Sequence, residues 1–361
     1  MKKNKPDKGL IIIIFLLLIC GSVILSSASV VISQQKEGNF YSLILHQLIY
    51  GVAPGLVVFF VCLKINYKFW KKFSLLIFFA ALILMVLVFI PGLGYRHAGA
   101  QRWIGFGPIS IQPSEFLKLS LIIYLSAFLS KKETRRINTL IPFLAIILLS
   151  AGLVAFQSDA GTIGVIAIIG IIIYFLSGAK IYQCITVLVC YTLGFFALIK
   201  FFPYRMNRFR VFLDSSIDPQ GIGYQIKQAL LGIGSGGLLG VGFGRSNQKY
   251  NFLPESMGDS VFAIFSEEMG FVGGMVLLAL FFVFAFKGLK IVKKAPDGFG
   301  KLLAAGITGW LIIQVFINIA AITGLIPLTG IPLPFVSYGG SALVSVLAGC
   351  GILVNISKYA N

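Results

Sequence analysis

Charge is scarce in this sequence. Of its 361 residues only 12% are Asp, Glu, Lys or Arg, while 58% are hydrophobic. Ordinary globular domains carry about a quarter charged residues, so a water-soluble enzyme is excluded at the outset. Acids are scarcer than bases, 12 against 30, and histidine occurs only at His46 and His97. The five cysteines, Cys20, Cys62, Cys184, Cys190 and Cys350, fall in apolar stretches and none is spaced with a histidine as zinc ligands are. Neither a disulfide framework nor a zinc site is expected. The formal net charge of +18 raises nucleic acid as a partner, but bases interspersed between apolar runs build no basic face, so no nucleic-acid partner is expected.

What the sequence does have is long apolar runs. About 20 such residues cross a bilayer, and suitable runs lie at 10–32, 43–63, 72–92, 113–130, 139–156, 161–177, 181–202, 260–286, 301–323 and 340–357. The expected fold is all-α: a polytopic integral membrane protein of about ten transmembrane helices, one membrane domain over 1–361. A long extracytoplasmic loop, 203–259, is expected between helices 7 and 8, with no soluble domain. Lys2, Lys3, Lys5 and Lys8 give the N-terminus the look of a signal peptide, but the following run is long enough to span and reads as a retained helix. Together with the N-terminal Lys2, Lys3, Lys5 and Lys8, alternate connections collect most of the bases: Lys64, Lys68, Lys71, Lys72; Lys131, Lys132, Arg135, Arg136; Lys180; Lys287, Lys290, Lys293, Lys294, Lys301; and Lys358. The short loops of the other side carry only Lys36, Arg96 and Arg102. This asymmetry puts both termini in the cytoplasm and explains the basic excess as a topology signal, aided by anionic headgroups. Among the acids only Asp7, Glu133 and Asp297 then lie inside. Charges at membrane depth usually line a polar cavity, so chemistry is expected on the outer side, where no nucleotide is at hand and a group-transfer donor must arrive activated.

Several outer segments interrupt the apolar pattern. In 94–118, Pro113 suits the first turn of a helix, and Glu115 and Lys118 three residues apart share a helix face. They form either a buried ion pair or a cation offered to a phosphate, with Glu115 holding Lys118 in place. Arg205, Arg208 and Arg210 form a basic cluster on the side where bases are otherwise rare; loop solvation or an anionic ligand accounts for it. The stretch GIGSGGLLGVGFGRS, 232–246, contains a formal G-x-G-x-x-G, but no parallel strand precedes it, so its glycines point to close backbone packing or a re-entrant loop. S-x-x-K at 177–180 lacks partner motifs and is a chance match. Asp259 lies where the long loop enters the eighth helix, with Glu267 and Glu268 two turns deeper. It is either a helix-start carboxylate favoured by the dipole or a general base for a sugar hydroxyl. The proline- and glycine-rich 324–342 cannot continue a helix, and irregular backbone at membrane depth requires protein or a water-filled cavity against it.

These motifs together resemble the shape, elongation, division and sporulation family, the FtsW, RodA and SpoVE group. The resemblance covers nearly the whole chain and rests on LSSAS (25–29), GAQRWIGFGPISIQPSEFLK (99–118), QSDAGT (157–162), LPESMGDSVFAIFSEEMG (253–270) and PLTGIPLPFVSYGGSA (327–342). One departure stands beside the acid: members commonly have His-Thr where this chain has Met257 and Gly258. The resemblance implies an extracytoplasmic, inverting peptidoglycan glycosyltransferase that polymerises lipid II, a disaccharide-pentapeptide on undecaprenyl pyrophosphate. It makes Asp259 the catalytic base on the acceptor 4-hydroxyl. Lys118, Arg102 and the Arg205, Arg208, Arg210 set become the candidates for holding pyrophosphate, with Glu115 supporting Lys118. It associates the reaction with a divalent cation, Mg²⁺ or Mn²⁺, whose ligands this sequence does not reveal. It also implies a class B penicillin-binding protein as partner, other divisome or elongasome proteins around it, and residence in the bacterial cytoplasmic membrane. LSSAS leans towards the division member, FtsW; RodA-like elongation is the alternative. A lipid II flippase is the rival function, although no internal repeat of the kind common in transporters is visible, and a scaffold that merely recruits a synthase is the third.

Overall fold

A computed structural model describes residues 5–97, 100–107, 109–130, 139–201, 203–214 and 217–360. Every expected span is helical. Helix α1 covers Lys8–Glu37. The second span is assembled from α2 (Ser42–Gln47), a π-helical turn (Leu48–Val52) and α3 (Ala53–Lys64), and α4 covers Tyr67–Leu87. After an extramembrane segment come α5 (Pro113–Leu129), α6 (Leu140–Phe156), α7 (Ala160–Leu176) and α8 (Ile181–Phe201). Helices α9 (Pro203–Leu213) and α10 (Ile222–Ser235) precede α11 (Val261–Lys294), α12 (Gly298–Ile322) and α13 (Gly340–Ser357). Among the described residues, six segments suffice by length and apolarity to cross a membrane: α1, the α2–α3 unit, α4, α11, α12 and α13; α6, α7 and the first part of α8 are shorter apolar helices.

The helix starts follow local capping chemistry. Side-chain oxygens of Asp7, Asn66, Asp159 and Asp297 accept from the main-chain N–H of Leu10, Lys68, Thr162 and Gly300, satisfying donors that a first turn leaves open. The Asn66 cap begins α4 five residues before the expected span, so Lys68, Lys71 and Lys72 sit in its first turns rather than in a loop. At the far end of α11, Lys287, Lys290, Lys293 and Lys294 likewise extend the helix beyond the apolar run. The bases Lys131, Lys132, Arg135 and Arg136 lie outside the described residues.

The all-α membrane fold holds, and the structure adds two details to it. The chain is not wholly helical: β1 (Gly94–His97), β2 (Ala100–Phe106) and β3 (Ile109–Ile111) form a small antiparallel sheet in the order β1-β2-β3 between α4 and α5. Its strands are too short and too mixed in composition to stand out from a sequence dominated by apolar runs. Nor is 203–259 simply a loop, since α9 and α10 occupy much of it. Pro203 opens α9, where its missing N–H costs nothing, and α10 is amphipathic, burying Gly223, Ile226, Ala229 and Gly232.

Helices α5, α12 and α13 are largely enclosed, with Leu121, Trp310, Leu311, Leu347 and Leu353 fully buried. Around them α1 packs along α11, α3 along α13, α4 along α5, and α7 along α12. Large apolar side chains such as Ile83, Phe282 and Phe316 remain exposed on the periphery, as expected where the solvent is lipid. The glycine-rich 232–246 stretch takes the close-packing option. Helix α11 breaks at Gly270 (φ 66°, ψ −168°), and the chain at 237–242 pairs with the broken segment: Val241 and Gly242 N–H donate to the Glu267 and Glu268 carbonyls, and Phe271 and Val272 N–H return to Gly237 and Leu238. Gly240 holds φ +81°, and a Cβ on it would run into the Glu268 carbonyl. Gly240→Ala is therefore expected to cost at least about 2 kcal/mol of stability, from left-handed strain and lost pairing. Gly234→Ala, with open space at its Cβ position, should be neutral or slightly stabilising in thermal unfolding in detergent.

Candidate active site

Asp259 ends a tight turn that begins after Pro254. Glu255 adopts a left-handed conformation (φ 51°), and its carbonyl accepts from the N–H of Gly258 at 2.9 Å and of Ser260 at 3.2 Å. The turn is tied down from three directions. Asn318 of α12 donates through Nδ2 to the carbonyls of Asp259 and Ile331, each at 2.8 Å. Ser337 Oγ donates to the Gly258 carbonyl at 2.6 Å, and Tyr338 N–H donates to the Met257 carbonyl at 2.9 Å. The carboxylate itself accepts at Oδ1 from Gln225 Nε2 of α10 (3.2 Å) and from Ser260 Oγ (3.3 Å). Its main chain is over-determined, so the side chain is presented in one place.

That place is the wall of a cavity of about 1400 Å³, lined by parts of α1, the small sheet, α5, α7, α10, the Asp259 turn and the 330–342 segment. Burial, reinforced by the nearby Glu255 carboxylate and opposed by the Arg208 guanidinium, pushes the Asp259 carboxyl up to about 6. A carboxylate so placed is a better proton acceptor than an ordinary Asp yet remains mostly ionised at neutral pH. Removing the opposing charge in Arg208→Gln should move the acid limb of any Asp259-dependent pH–activity profile to higher pH, a shift that a titration of initial rates detects.

The other expected site residues separate into distinct positions. Glu115, Arg102 and Arg208 line the same cavity as Asp259. Arg102 donates to the carbonyls of Gln157 (3.0 Å) and Ser158 (2.6 Å) in the α6–α7 turn, which explains what QSDAGT is doing beside it. Arg208 Nη1 donates to the Leu328 carbonyl at 2.7 Å. Lys118 does not reach the cavity wall. It is 1% exposed, its ammonium donates to Glu115 Oε1 at 2.8 Å and Gln314 Oε1 at 2.9 Å, and it lies 5.5 Å from the centre of the Trp310 ring. Of the two readings of the Glu115–Lys118 pair, the geometry provides the buried ion pair, with the acid rather than the base next to the cavity. Arg210 is exposed on α9 and is absent from the cavity lining. The Arg205 side chain lies outside the described residues.

Glu267 and Glu268 serve a different purpose. Glu267 accepts from Ser246 Oγ and from the N–H of Asn247 and Gln248, while Glu268 Oε1 accepts from Lys249 Nζ (3.1 Å) and Ser27 Oγ (2.6 Å). They anchor the start of the strap that ends at Asp259, and Ser27 of LSSAS ties that anchor to α1. Lys249, Gln225, Gln314 and Asn318 escaped the sequence reading, although Gln314 and Asn318 carried a usable signal: two amides one turn apart inside an apolar helix. Among the described residues no three of His, Cys, Asp and Glu converge as ligands for a metal ion. Among these residues the divalent cation associated with the resemblance finds no protein-built cage, and Lys36, Arg102 and Arg208 are described cationic residues along the cavity.

A bundle of membrane-length helices around a cavity with one activated carboxylate and guanidinium groups defines a polytopic membrane protein with an acid-bearing interior site. The chain belongs to the FtsW, RodA and SpoVE family, whose model, described as "Cell cycle protein", matches residues 8–361. It is 41% identical to stage V sporulation protein E of Bacillus subtilis (strain 168) over 99% of each chain. It is 37% identical to a probable peptidoglycan glycosyltransferase FtsW of Trichlorobacter lovleyi, over 86% of this chain and 82% of that one. Among solved structures, a chain from work on the structural coordination of polymerization and crosslinking by a peptidoglycan synthase complex superposes with a TM-score of 0.82 at 26% identity, covering 99% of both. Thermus thermophilus rod shape determining protein RodA gives 0.73 at 27% identity, covering 99% of this chain and 98% of that one.

Proposed function

We propose that this chain is a peptidoglycan glycosyltransferase that polymerises lipid II at the outer face of the bacterial cytoplasmic membrane. The observation that carries the reading is the Asp259 carboxylate on the wall of a large cavity that also exposes Arg102 and Arg208. Asp259 takes the proton from the 4-hydroxyl of one sugar as that oxygen attacks the anomeric carbon of another. The bond from that carbon to the pyrophosphate breaks, its electron pair leaves with the lipid diphosphate, and the α-linked donor becomes a β-1,4 product by inversion. Arg102 and Arg208 are the groups to stabilise the departing charge. Arg210 would act only on the part of the lipid headgroup outside the cavity, and Lys118 acts through Glu115. A Mg²⁺ or Mn²⁺ ion would supply charge neutralisation for the leaving pyrophosphate.

The distribution of Lys and Arg supports cytoplasmic termini. Proteins named SpoVE, FtsW and RodA are all among the relatives; the division-type role proposed here rests on the LSSAS stretch of α1, with RodA-like elongation as the alternative. A class B penicillin-binding protein is the proposed partner, within a divisome or elongasome assembly. Reconstituting the chain with that partner and lipid II should yield glycan polymer. Lipid II that crosses vesicle membranes without polymer forming would instead establish the flippase, and imaging at septum or side wall separates division from elongation.

A further inference from the structure

The cavity wall formed by the small sheet is not explained by proton transfer or by pyrophosphate. Tyr95 of β1 pairs directly with Trp103 of β2, and directly opposed residues in an antiparallel ladder project to the same face. Gly105, two residues beyond Trp103 on that face, carries no side chain. A Cβ there would stand 3.3 Å from Tyr95 Cδ1, so the tyrosine ring lies across the space that Gly105 leaves free. All three residues line the cavity that holds Asp259. Tyr338, whose hydroxyl is 2.9 Å from His46 Nδ1, borders the same space.

Rings at the ends of membrane helices usually form an interfacial belt against lipid headgroups. These rings face an interior cavity whose other lining groups include the amides Gln35, Gln112, Gln220, Gln225 and Asn251. An acyl chain would want aliphatic walls, and a diphosphate wants cations. Flat apolar rings surrounded by amides that both donate and accept match a different chemistry: a sugar ring, which offers a C–H face to stack and hydroxyls at its edge. We propose that Tyr95 and Trp103 form a carbohydrate-stacking subsite that holds the glycan strand beside Asp259. The proposal rests on the glycosyltransferase reading for the identity of the sugar.

The probe is a lipid-free β-1,4-linked GlcNAc–MurNAc tetrasaccharide, titrated into the detergent-solubilised Asp259→Asn chain so that no transfer consumes it. The protein has three tryptophans; Trp310 is fully buried and Trp70 lies in the first turns of α4 away from the cavity lining, which leaves Trp103 as the reporter inside the cavity. The expected result is a saturable change in tryptophan emission with the same midpoint by calorimetry. In Trp103→Ala and in Tyr95→Ala the calorimetric affinity should fall by at least about tenfold, and in Trp103→Phe it should be largely retained. Because the Tyr95 ring is 41% exposed, its removal leaves the core intact, so Tyr95→Ala decides the matter should Trp103→Ala misfold. Absence of binding, or equal affinity in a Tyr95→Ala protein with an unchanged thermal transition, overturns the subsite. Polymerisation by the wild type together with either of those results leaves the glycosyltransferase standing. Ring-dependent saccharide binding without wild-type polymerisation has the opposite meaning, retaining the subsite and removing the polymerase.

Discussion

Asp259→Asn is expected to reduce lipid II polymerisation by roughly 10²–10⁴-fold, the range for loss of a positioned general base, while leaving the fold intact. Asparagine preserves the shape and can still accept from Gln225 and Ser260, so what is lost is the ability to take a proton. The wild-type rate should rise with pH through about 6, where the Asp259 carboxyl ionises, and level off above neutrality. The same shift makes a prediction about stability with a definite sign. The folded-state value lies above the ordinary 3.8, so the fold favours the protonated acid. That contribution is fully present below about pH 4 and is lost as pH rises through about 6. At pH 7.5 the ionised carboxylate is therefore a stability cost on the order of 1–3 kcal/mol, and Asp259→Asn should melt a few degrees higher than wild type. Unchanged polymer yield in this variant would remove Asp259 from the chemistry; a lower melting point would show that the carboxylate is structural.

The helical frame was readable because each span needs its own apolar run and its own cap, both local properties of the chain. The small sheet and α9 were not, since neither has a periodicity strong enough to see beside apolar runs, and α10, although amphipathic with one buried face at Gly223, Ile226, Ala229 and Gly232, is too short and polar to be found by a search for membrane-length apolar runs. Asp259 could be singled out as an isolated acid at a helix start. Its geometry could not, because the groups that fix it, Gln225, Asn318 and Ser337, arrive from segments 34 to 78 residues away in the chain. The Glu115–Lys118 spacing correctly announced a pair; which member faces the cavity depended on Gln314 and Trp310 of α12, nearly two hundred residues later.

Lys118 is expected to matter as much as Asp259, by a different route. Its ammonium joins Glu115 to Gln314, whose Oε1 also accepts from Trp310 Nε1 at 2.8 Å and whose Nε2 donates to the Pro332 carbonyl at 3.0 Å. One turn further along α12, Asn318 holds the Ile331 and Asp259 carbonyls. The two amides of one helix face thus clamp consecutive residues of the 324–339 segment, and the buried ion pair braces the first clamp while the second carries the catalytic turn. Lys118→Met leaves the Glu115 carboxyl without its cationic partner at 1% exposure, a change that costs about 3–5 kcal/mol in buried pairs. Glu115→Gln alone should be milder, since the lysine retains Gln314 and the Trp310 ring. The double variant, which removes both charges, should recover most of the stability lost in Lys118→Met, giving a coupling of at least about 2 kcal/mol in a double-mutant cycle read by thermal or denaturant unfolding. Polymerisation should not recover with it, because the brace on Gln314 is still missing and the cavity wall has lost the Glu115 carboxylate. Recovery of both stability and polymerisation in the double variant would reduce the pair to packing and break the proposed link from Lys118 to the position of Asp259.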